Sequence, residues 1–507
     1  MNEKSVTIIG AGIAGLSAGC YAQMNGYRTQ ILEMHHRPGG CCTTWERDGY
    51  KIDGAIHWLT GSKPGNPFYS LWEELGALQG RNIVDHEEYA RIEGKDGQVF
   101  VVYSDVDRLE KHMTELAPED RQVIKEFTDG IRTSIDFPMP IEKPRELYGP
   151  IDGLKIMLRM RPFFAFLRKW EKATIEDFAQ RFRNPFLREV FPLAVNLQNG
   201  PDFPMLGFLM SLAWMDQKVA GYPVGGSLEF ARSLESRYLA LGGEIHYESR
   251  VDKILVENDR AVGVRLADGS EQYSDTVISA ADGRTTIFDM LNGKYISKKI
   301  QTYYGDLPVS RPVIYIALGI ASTFDEMPHQ TTGLDFPLNE PVKIGERERE
   351  RMCVQIYNFD PTLAPAGKTF MRVYFATDYE YWKELGQDPV RYAAKKEKIA
   401  ERVITSLNRR FPGLASKVEM WDVATPLTFE RYTGNWQGTF LGWRITTKTL
   451  RLRMDKTLPR LENFYMAGQW LEPGGGVPTA ALSGRDVVQL LCRRDKNPFA
   501  VAEANHL

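Results

Sequence analysis

Three stretches of the chain combine short apolar runs, glycine turns and helical periodicity. The first begins with Ser5-Val6-Thr7-Ile8-Ile9, an apolar run closed by Gly10, which predicts a buried strand. Gly10-Ala11-Gly12-Ile13-Ala14-Gly15 follows, then helix-forming residues 16–25 ended by Gly26. Residues 27–32 predict a second strand with Glu33 at its tip. In the middle of the chain, Tyr222-Pro223-Val224-Gly225-Gly226-Ser227-Leu228 opens a helix with an apolar face of Leu228, Ala231, Leu234 and Leu239, ending at Gly242-Gly243. Segments 244–247, 251–256, 261–266 and 275–281 then alternate, with turn signals at 257–259 and 268–269, and predict a β-meander. Near the C-terminus, residues 461–470 read as a strand ending in glycine. A loop rich in glycine and proline leads from there into a helix over 479–492, with Pro478 suited to the first turn.

The first stretch carries a specific chemistry. Gly10 permits a tight turn from strand to helix, Gly12 lets backbone approach a pyrophosphate, and Gly15 allows close packing of helix on strand. The helix N-terminus offers unpaired N–H groups and a partial positive charge to the phosphates. Glu33 stands where an acid accepts hydrogen bonds from adenosine ribose hydroxyls. After it, Met34-His35-His36-Arg37-Pro38-Gly39-Gly40-Cys41-Cys42 supplies a second pair of glycines where backbone can approach a phosphate. Gly49 to Trp58 then reads as a strand running into the turn Gly54-Ala55-Ile56-His57.

Composition narrows the picture. The 507 residues balance 63 Lys and Arg against 66 Asp and Glu, so there is no basic excess for a nucleic-acid partner. Apolar residues at 43 % and charged residues at 25 % exclude a disordered or fibrous chain. Five cysteines with no C-x-x-C predict neither a disulfide framework nor a zinc site, and no metal is expected; a reducing cytoplasm fits better. The run from Lys4 to Cys20 also has the form of a short secretory signal, but the dinucleotide reading accounts for more residues. No apolar run reaches the length of a membrane span; residues 313–321 come nearest and read as a buried strand.

The succession of glycine turn, acid, second glycine pair and Asp53-Gly54-Ala55-Ile56-His57 resembles the flavoprotein superfamily of amine oxidases, protoporphyrinogen oxidases and carotenoid desaturases. The C-terminal Pro473-Gly474-Gly475-Gly476-Val477-Pro478 loop and Leu482-Ser483-Gly484-Arg485 are very similar to those of carotenoid desaturases, carotenoid isomerases and retinol saturases. The resemblance implies FAD as cofactor, with Arg37–Cys42 along the pyrophosphate and Gly54–His57 near the flavin ring. It also implies backbone contact from Val251 to the adenine, Ala280 near the adenosine, and Gly468, Gln469, Gly476 and Val477 at the flavin. The glycine loop there feeds a helix N-terminus that suits the negative edge of a reduced flavin. Many relatives carry an acid where this chain has Gln469. His35 and His36 read as solvent-facing near the adenine, Cys41 and Cys42 as small packing residues. His57 is the candidate catalytic side chain, chosen by position alone.

The expected fold is α/β: a discontinuous Rossmann-like FAD-binding domain, parallel sheet plus β-meander, with an interleaved α+β substrate domain. Residues 1–75, 222–290 and 455–507 belong to the former, 76–221 and 291–454 to the latter. Segment 151–170 carries Lys155, Arg159, Arg161, Arg168 and Lys169 against Asp152 alone, interleaved with leucines, methionines and phenylalanines. It is a candidate helix for contact with an anionic membrane surface, giving a cytoplasmic, membrane-associated protein. Residues 203–215 are apolar and methionine-rich, suited to a core or a substrate cavity. The leading expectation is an FAD-dependent oxidoreductase that desaturates, saturates or isomerises a lipophilic polyene by hydride exchange at flavin N5. Its redox partner is left open between a quinone, O2 and reduced nicotinamide. The alternatives are an amine or porphyrinogen oxidase using O2, and a non-catalytic binder of prenylated proteins like the GDP-dissociation inhibitors.

Overall fold

The computed structural model describes residues 3–195, 200–327 and 331–502. β1 (Ser5–Ile9) is apolar because it is central: it pairs in parallel with β2 (Arg28–Leu32) on one side and with the strand Thr276–Ser279 on the other. Glu244–His246 extends the sheet beyond β2, and Phe464–Met466 extends it beyond Thr276–Ser279. Five parallel strands are thus gathered from three separated stretches of chain. Parallel neighbours require crossover connections, and the central β1 is buried on both faces, which explains its apolar run.

The meander differs from its expectation at both ends. Its strands are Val251–Glu257, Arg260–Leu266 and Glu271–Tyr273, antiparallel throughout. The flanking segments Glu244–His246 and Thr276–Ser279 instead join the parallel sheet. Alternation reveals a strand but not which sheet receives it. The preceding helix, Gly226–Ala240, buries Leu228, Ala231 and Leu234, but Leu239 lies on its exposed side.

A second, seven-stranded sheet runs in the order Val418–Ala424, Val313–Ile320, Thr369–Ala376, Arg347–Ile356, Leu334–Ile344, Glu88–Glu93, Val99–Tyr103. Val313–Ile320, buried at all eight positions, is the long apolar run noted above. The helix Met205–Asp216 is buried on almost every side and packs in an aromatic core with Phe127, Phe178 and Phe191. By contrast, the helix Pro150–Met160 buries no residue at all.

Two helices of the parallel sheet meet at one tight contact. α1 (Ile13–Met24) begins three residues earlier than its sequence suggests, because Gly12 itself serves as the cap. It lies against the C-terminal helix Val477–Asp495 with glycine between them: a Cβ on Gly484 would stand 2.5 Å from the Ala14 carbonyl oxygen and 2.7 Å from Ala18 N. Backbone cannot yield as a side chain can. Gly484→Ala is therefore expected to destabilise the protein by about 1–3 kcal/mol, seen as a lower thermal midpoint. Gly153→Ala, where a Cβ meets nothing within 4 Å, should be neutral or slightly stabilising; equal midpoints for both variants would contradict this packing argument.

Candidate active site

α1 and the helix Val477–Asp495 both start on glycine, Gly12 and Gly476, and neither has a side-chain cap. Their first-turn N–H groups are left for another partner, and both open onto one cavity of about 1060 Å³. That volume slightly exceeds the usual range for a single drug-sized ligand. A Cβ on Gly12 would find only the Gly39 carbonyl, at 4.0 Å, so a side chain there would project into the space where a phosphate would sit. Gly39 lies opposite: its N–H donates to the Ala11 carbonyl at 2.8 Å, and Gly40 approaches Gly12 closely. Gly10 and Gly39 sit at φ +97° and +109°, a region that side chains rarely adopt, so both turns depend on glycine. These two facing turns, with the uncapped N-terminus of α1 between them, form a cradle of the polarity a pyrophosphate needs.

Glu33 is buried at the tip of β2. Its carboxylate accepts from Ala11 N–H at 2.7 Å and His35 N–H at 2.8 Å, and burial pushes the carboxyl up while those donors pull it down. It lines the cavity beside Gly10, Met34 and Val251. His35 stacks on His36, with ring centroids 4.2 Å apart, and meets Tyr432 edge-on.

Ile13, Ala14, Gly40, Cys41, Ala55, Ile56, His57, Ala280, Gly468, Gln469 and Val477 also lie on the cavity wall. Four expected contacts do not. Ala11 is fully buried and acts through its N–H on Glu33. Gly15 is pressed against the Gly10 carbonyl, leaving no room for a Cβ. Gly54 packs on the Thr43 carbonyl and Trp45. Arg37 directs its guanidinium to the Thr44 carbonyl at 2.8 Å and to the His36 ring, away from the cradle. Cys42 is buried, as a packing residue should be, and Cys41 accepts a hydrogen bond from Asn435 while burial pushes its thiol up to about 12.

The turn at 53–57 is fixed by the N-terminus of Gly226–Ala240. Ser227 N–H donates to the Asp53 carboxylate at 2.9 Å, and Ile56 N–H donates to Ser227 Oγ at 2.8 Å. This holds His57 at the wall with both ring nitrogens engaged. Arg372 Nη2 and Gln355 Nε2, both donors, face Nδ1; Nε2 lies 3.0 Å from Tyr374 Oη. Nδ1 must therefore be the acceptor and Nε2 the donor. Burial and the neighbouring Arg372 guanidinium push the imidazole well below its ordinary range, so it is neutral. The sequence-based candidacy of His57 as a proton-transfer group does not match this geometry, which leaves neither nitrogen free for substrate.

Beyond His57 the cavity turns apolar. Trp58, Met139, Leu193, Phe203, Met210, Trp214 and Ile445 line it, with Trp58 and Trp214 centroids 6.4 Å apart. The polar exceptions include Gln355, Cys353 and Asp335, the last paired with Arg351 at 2.6 Å. Sequence reading missed a further wall, Glu430 to Asn435 with Phe440 and Leu441, and also Asp282, whose carboxylate accepts from Trp436 N–H at 3.1 Å. The left-handed Gly434 was the one available signal for that segment. Among the described residues, no cluster of side chains suits a metal ion.

Comparison with known proteins shows the family of the chain. A family described as flavin containing amine oxidoreductase matches residues 13–492, and the chain belongs to it. The chain is 25 % identical over 497 residues to a chloroplastic prolycopene isomerase of Arabidopsis thaliana, covering 94 % of this chain and 80 % of that one. It is 23 % identical to a lycopene-forming phytoene desaturase of Pseudescherichia vulneris, covering 96 % and 99 % respectively. Among solved structures, an oxidoreductase from Methanosarcina mazei superposes with TM-score 0.62 at 20 % identity, covering 96 % of this chain and all of that one. A putrescine oxidase variant superposes with TM-score 0.61 at 14 % identity, covering 97 % and 99 %. The protein is an FAD-dependent oxidoreductase of the flavin amine oxidase superfamily, related to carotenoid desaturases and isomerases. FAD fits the residues present: two uncapped helix N-termini, the open face of Gly12 and the buried Glu33 meet in one cavity.

Gly12→Ala places a methyl group in the cradle without touching the rest of the fold. It should weaken FAD binding by about 1–3 kcal/mol, roughly a 5- to 150-fold rise in Kd, while the apoprotein's thermal midpoint stays unchanged. Isothermal titration of the apoprotein with FAD checks this; wild-type affinity in the variant would place the pyrophosphate elsewhere.

Proposed function

We propose that the chain exchanges a hydride with a carbon–carbon bond of a long apolar polyene or isoprenoid, desaturating, saturating or isomerising it. One observation carries the reading: the cavity continues from the cofactor cradle past His57 into an apolar chamber of tryptophan, methionine and phenylalanine side chains. Such a wall gives an extended hydrocarbon a dry, adaptable surface. The related prolycopene isomerase and phytoene desaturase, by their names, act on long polyenes.

When bound, FAD supplies hydride exchange at N5. The protein's own residues do the rest. The Ser227-anchored turn holds Ala55, Ile56 and His57 at the flavin end, and Trp58 and Trp214 align a planar chain beside it and exclude water. Residues 1–75, 222–290 and 455–507 would then hold the cofactor, and 76–221 with 291–454 the substrate.

An anaerobic experiment tests the reading. Reduced enzyme mixed with a panel of polyenes should reoxidise if it saturates them; oxidised enzyme mixed with their more saturated partners should bleach if it desaturates them. Double-bond rearrangement without net redox change would mark an isomerase. Turnover of amines or porphyrinogens with O2, and of no polyene, would overturn the proposal.

The substrate would arrive from a lipid surface through the segment around Pro150–Met160. Ile151 is 70 % exposed and Leu158 56 %, with Leu154, Met157 and Phe164 also exposed, and Lys155, Arg159, Arg161 and Arg168 stand among them in solvent. Among the described residues no helix is long and apolar enough to cross a membrane, so contact would be peripheral. Phe163 packs on Phe137 and is less suited to that role. Replacing Leu154, Leu158 and Phe164 together by serine should abolish most co-sedimentation with anionic liposomes, at about 1–2 kcal/mol for each side chain, without changing FAD content. Unaltered sedimentation would remove this helix from the substrate's path.

A further inference from the structure

Arg372 lies in the middle of the strand Thr369–Ala376 and is wholly buried. Its Nε donates to Gln355 Oε1, its Nη1 to the Asp53 carbonyl at 3.0 Å, and its Nη2 to His57 Nδ1. The rings of Tyr374, Tyr357 and Tyr315 surround it at 4.9, 5.0 and 5.8 Å from the guanidinium carbon. All three hydrogen-bond acceptors are neutral. Burial holds the three phenols in their protonated form. Asp53 gives its carboxylate to Ser227 N–H and lies near Thr44 Oγ1; burial pushes that carboxyl up, while the neighbouring Arg372 guanidinium pulls it down.

A guanidinium does not lose its proton in a protein, so this is a standing charge in a dry place. Such a charge is costly unless something offsets it; the tyrosine faces offset a part, and the Asp53 carboxyl, which interacts with it but is hydrogen-bonded to Ser227 instead, offsets another. One ring separates it from the cavity: His57 touches Arg372 on one side and lines the wall on the other.

We propose that Arg372 is a positioning residue for the cofactor: through His57 it sets a permanent positive charge against the flavin end of the cavity and favours the electron-rich forms of the bound flavin. The inference rests on the FAD reading and on the 54–57 turn lying beside the ring. Arg372 acts in two ways. It fixes His57 in one neutral tautomer, so the imidazole contributes no charge of its own over the working pH range. It also projects its field through a low-dielectric wall, where water does little to screen it.

Sulfite is the probe. It adds reversibly to oxidised flavin: its sulfur lone pair forms the bond to N5, and the ring keeps the displaced electron pair as negative charge. The wild-type holoprotein should bind sulfite at least about tenfold more tightly than free FAD does. Arg372→Met should weaken that binding roughly ten- to a hundredfold and shift the flavin midpoint potential to more negative values. Arg372→Lys, which keeps the charge, should restore most of both. Wild-type affinity no better than that of free FAD overturns the inference, even if Arg372→Met fails to fold. So does an Arg372→Met holoprotein with full FAD content and unchanged sulfite affinity. FAD content, measured first, separates the two levels: a wild-type protein that takes up no FAD removes the functional reading and this inference with it, whereas full occupancy with unmoved sulfite binding removes the inference alone.

Discussion

The parallel pairing of β1 with its two neighbours is the constraint on which the site depends. It brings the ends of β1, of Thr276–Ser279 and of Phe464–Met466 to one edge. Two helices start from that edge with glycine caps, and a dinucleotide needs both. One opens onto the cradle between Gly12 and Gly39; the other opens onto the far end of the same cavity. The close approach of α1 to Val477–Asp495, with Gly484 as spacer, fixes the angle between those two N-termini. Other parts of the molecule complete a cavity whose polar half this packing already defines.

The second sheet supplies what the first cannot. Parallel strands end in loops that bind phosphate and ribose well, but they offer little extended apolar surface. Met205–Asp216 contributes Met210 and Trp214, and the strand Arg347–Ile356 contributes Cys353 and Gln355. Charge is handled differently in the two halves. Near the cradle, helix ends carry it as partial charges. Near the apolar chamber it resides on full charges: the Asp335–Arg351 pair and the buried Arg372 guanidinium wrapped in tyrosine rings, the latter with a neutral histidine between it and the ligand space.

Much of the cofactor half was legible in the sequence because glycine announces itself. Gly10, Gly12 and Gly39 are required by backbone conformation and approach, constraints that act over a few residues. Arg37 misled for the opposite reason: nothing local distinguishes a guanidinium aimed at a phosphate from one bonded to the Thr44 carbonyl. Leu239 fitted the helical periodicity yet faces solvent, since periodicity gives a face but not its neighbours. The Arg372, Gln355 and Tyr374 cluster was not read, although a lone arginine within Thr-Phe-Met-Arg-Val-Tyr-Phe is an anomaly in a buried strand. Its meaning depends on His57, 315 residues away.

The interleaved connectivity of the parallel sheet also bears on how the protein is made. β1, β2 and α1 are made long before the strand Phe464–Met466, which closes the far edge of their sheet beside Thr276–Ser279, and before the second glycine-capped helix. Until that helix is made, α1 lacks the partner that covers it and the cavity lacks one of its two helix N-termini. The cavity is therefore completed only once Val477–Asp495 is in place, and the nascent chain must keep the uncovered face of α1 from other partners until then.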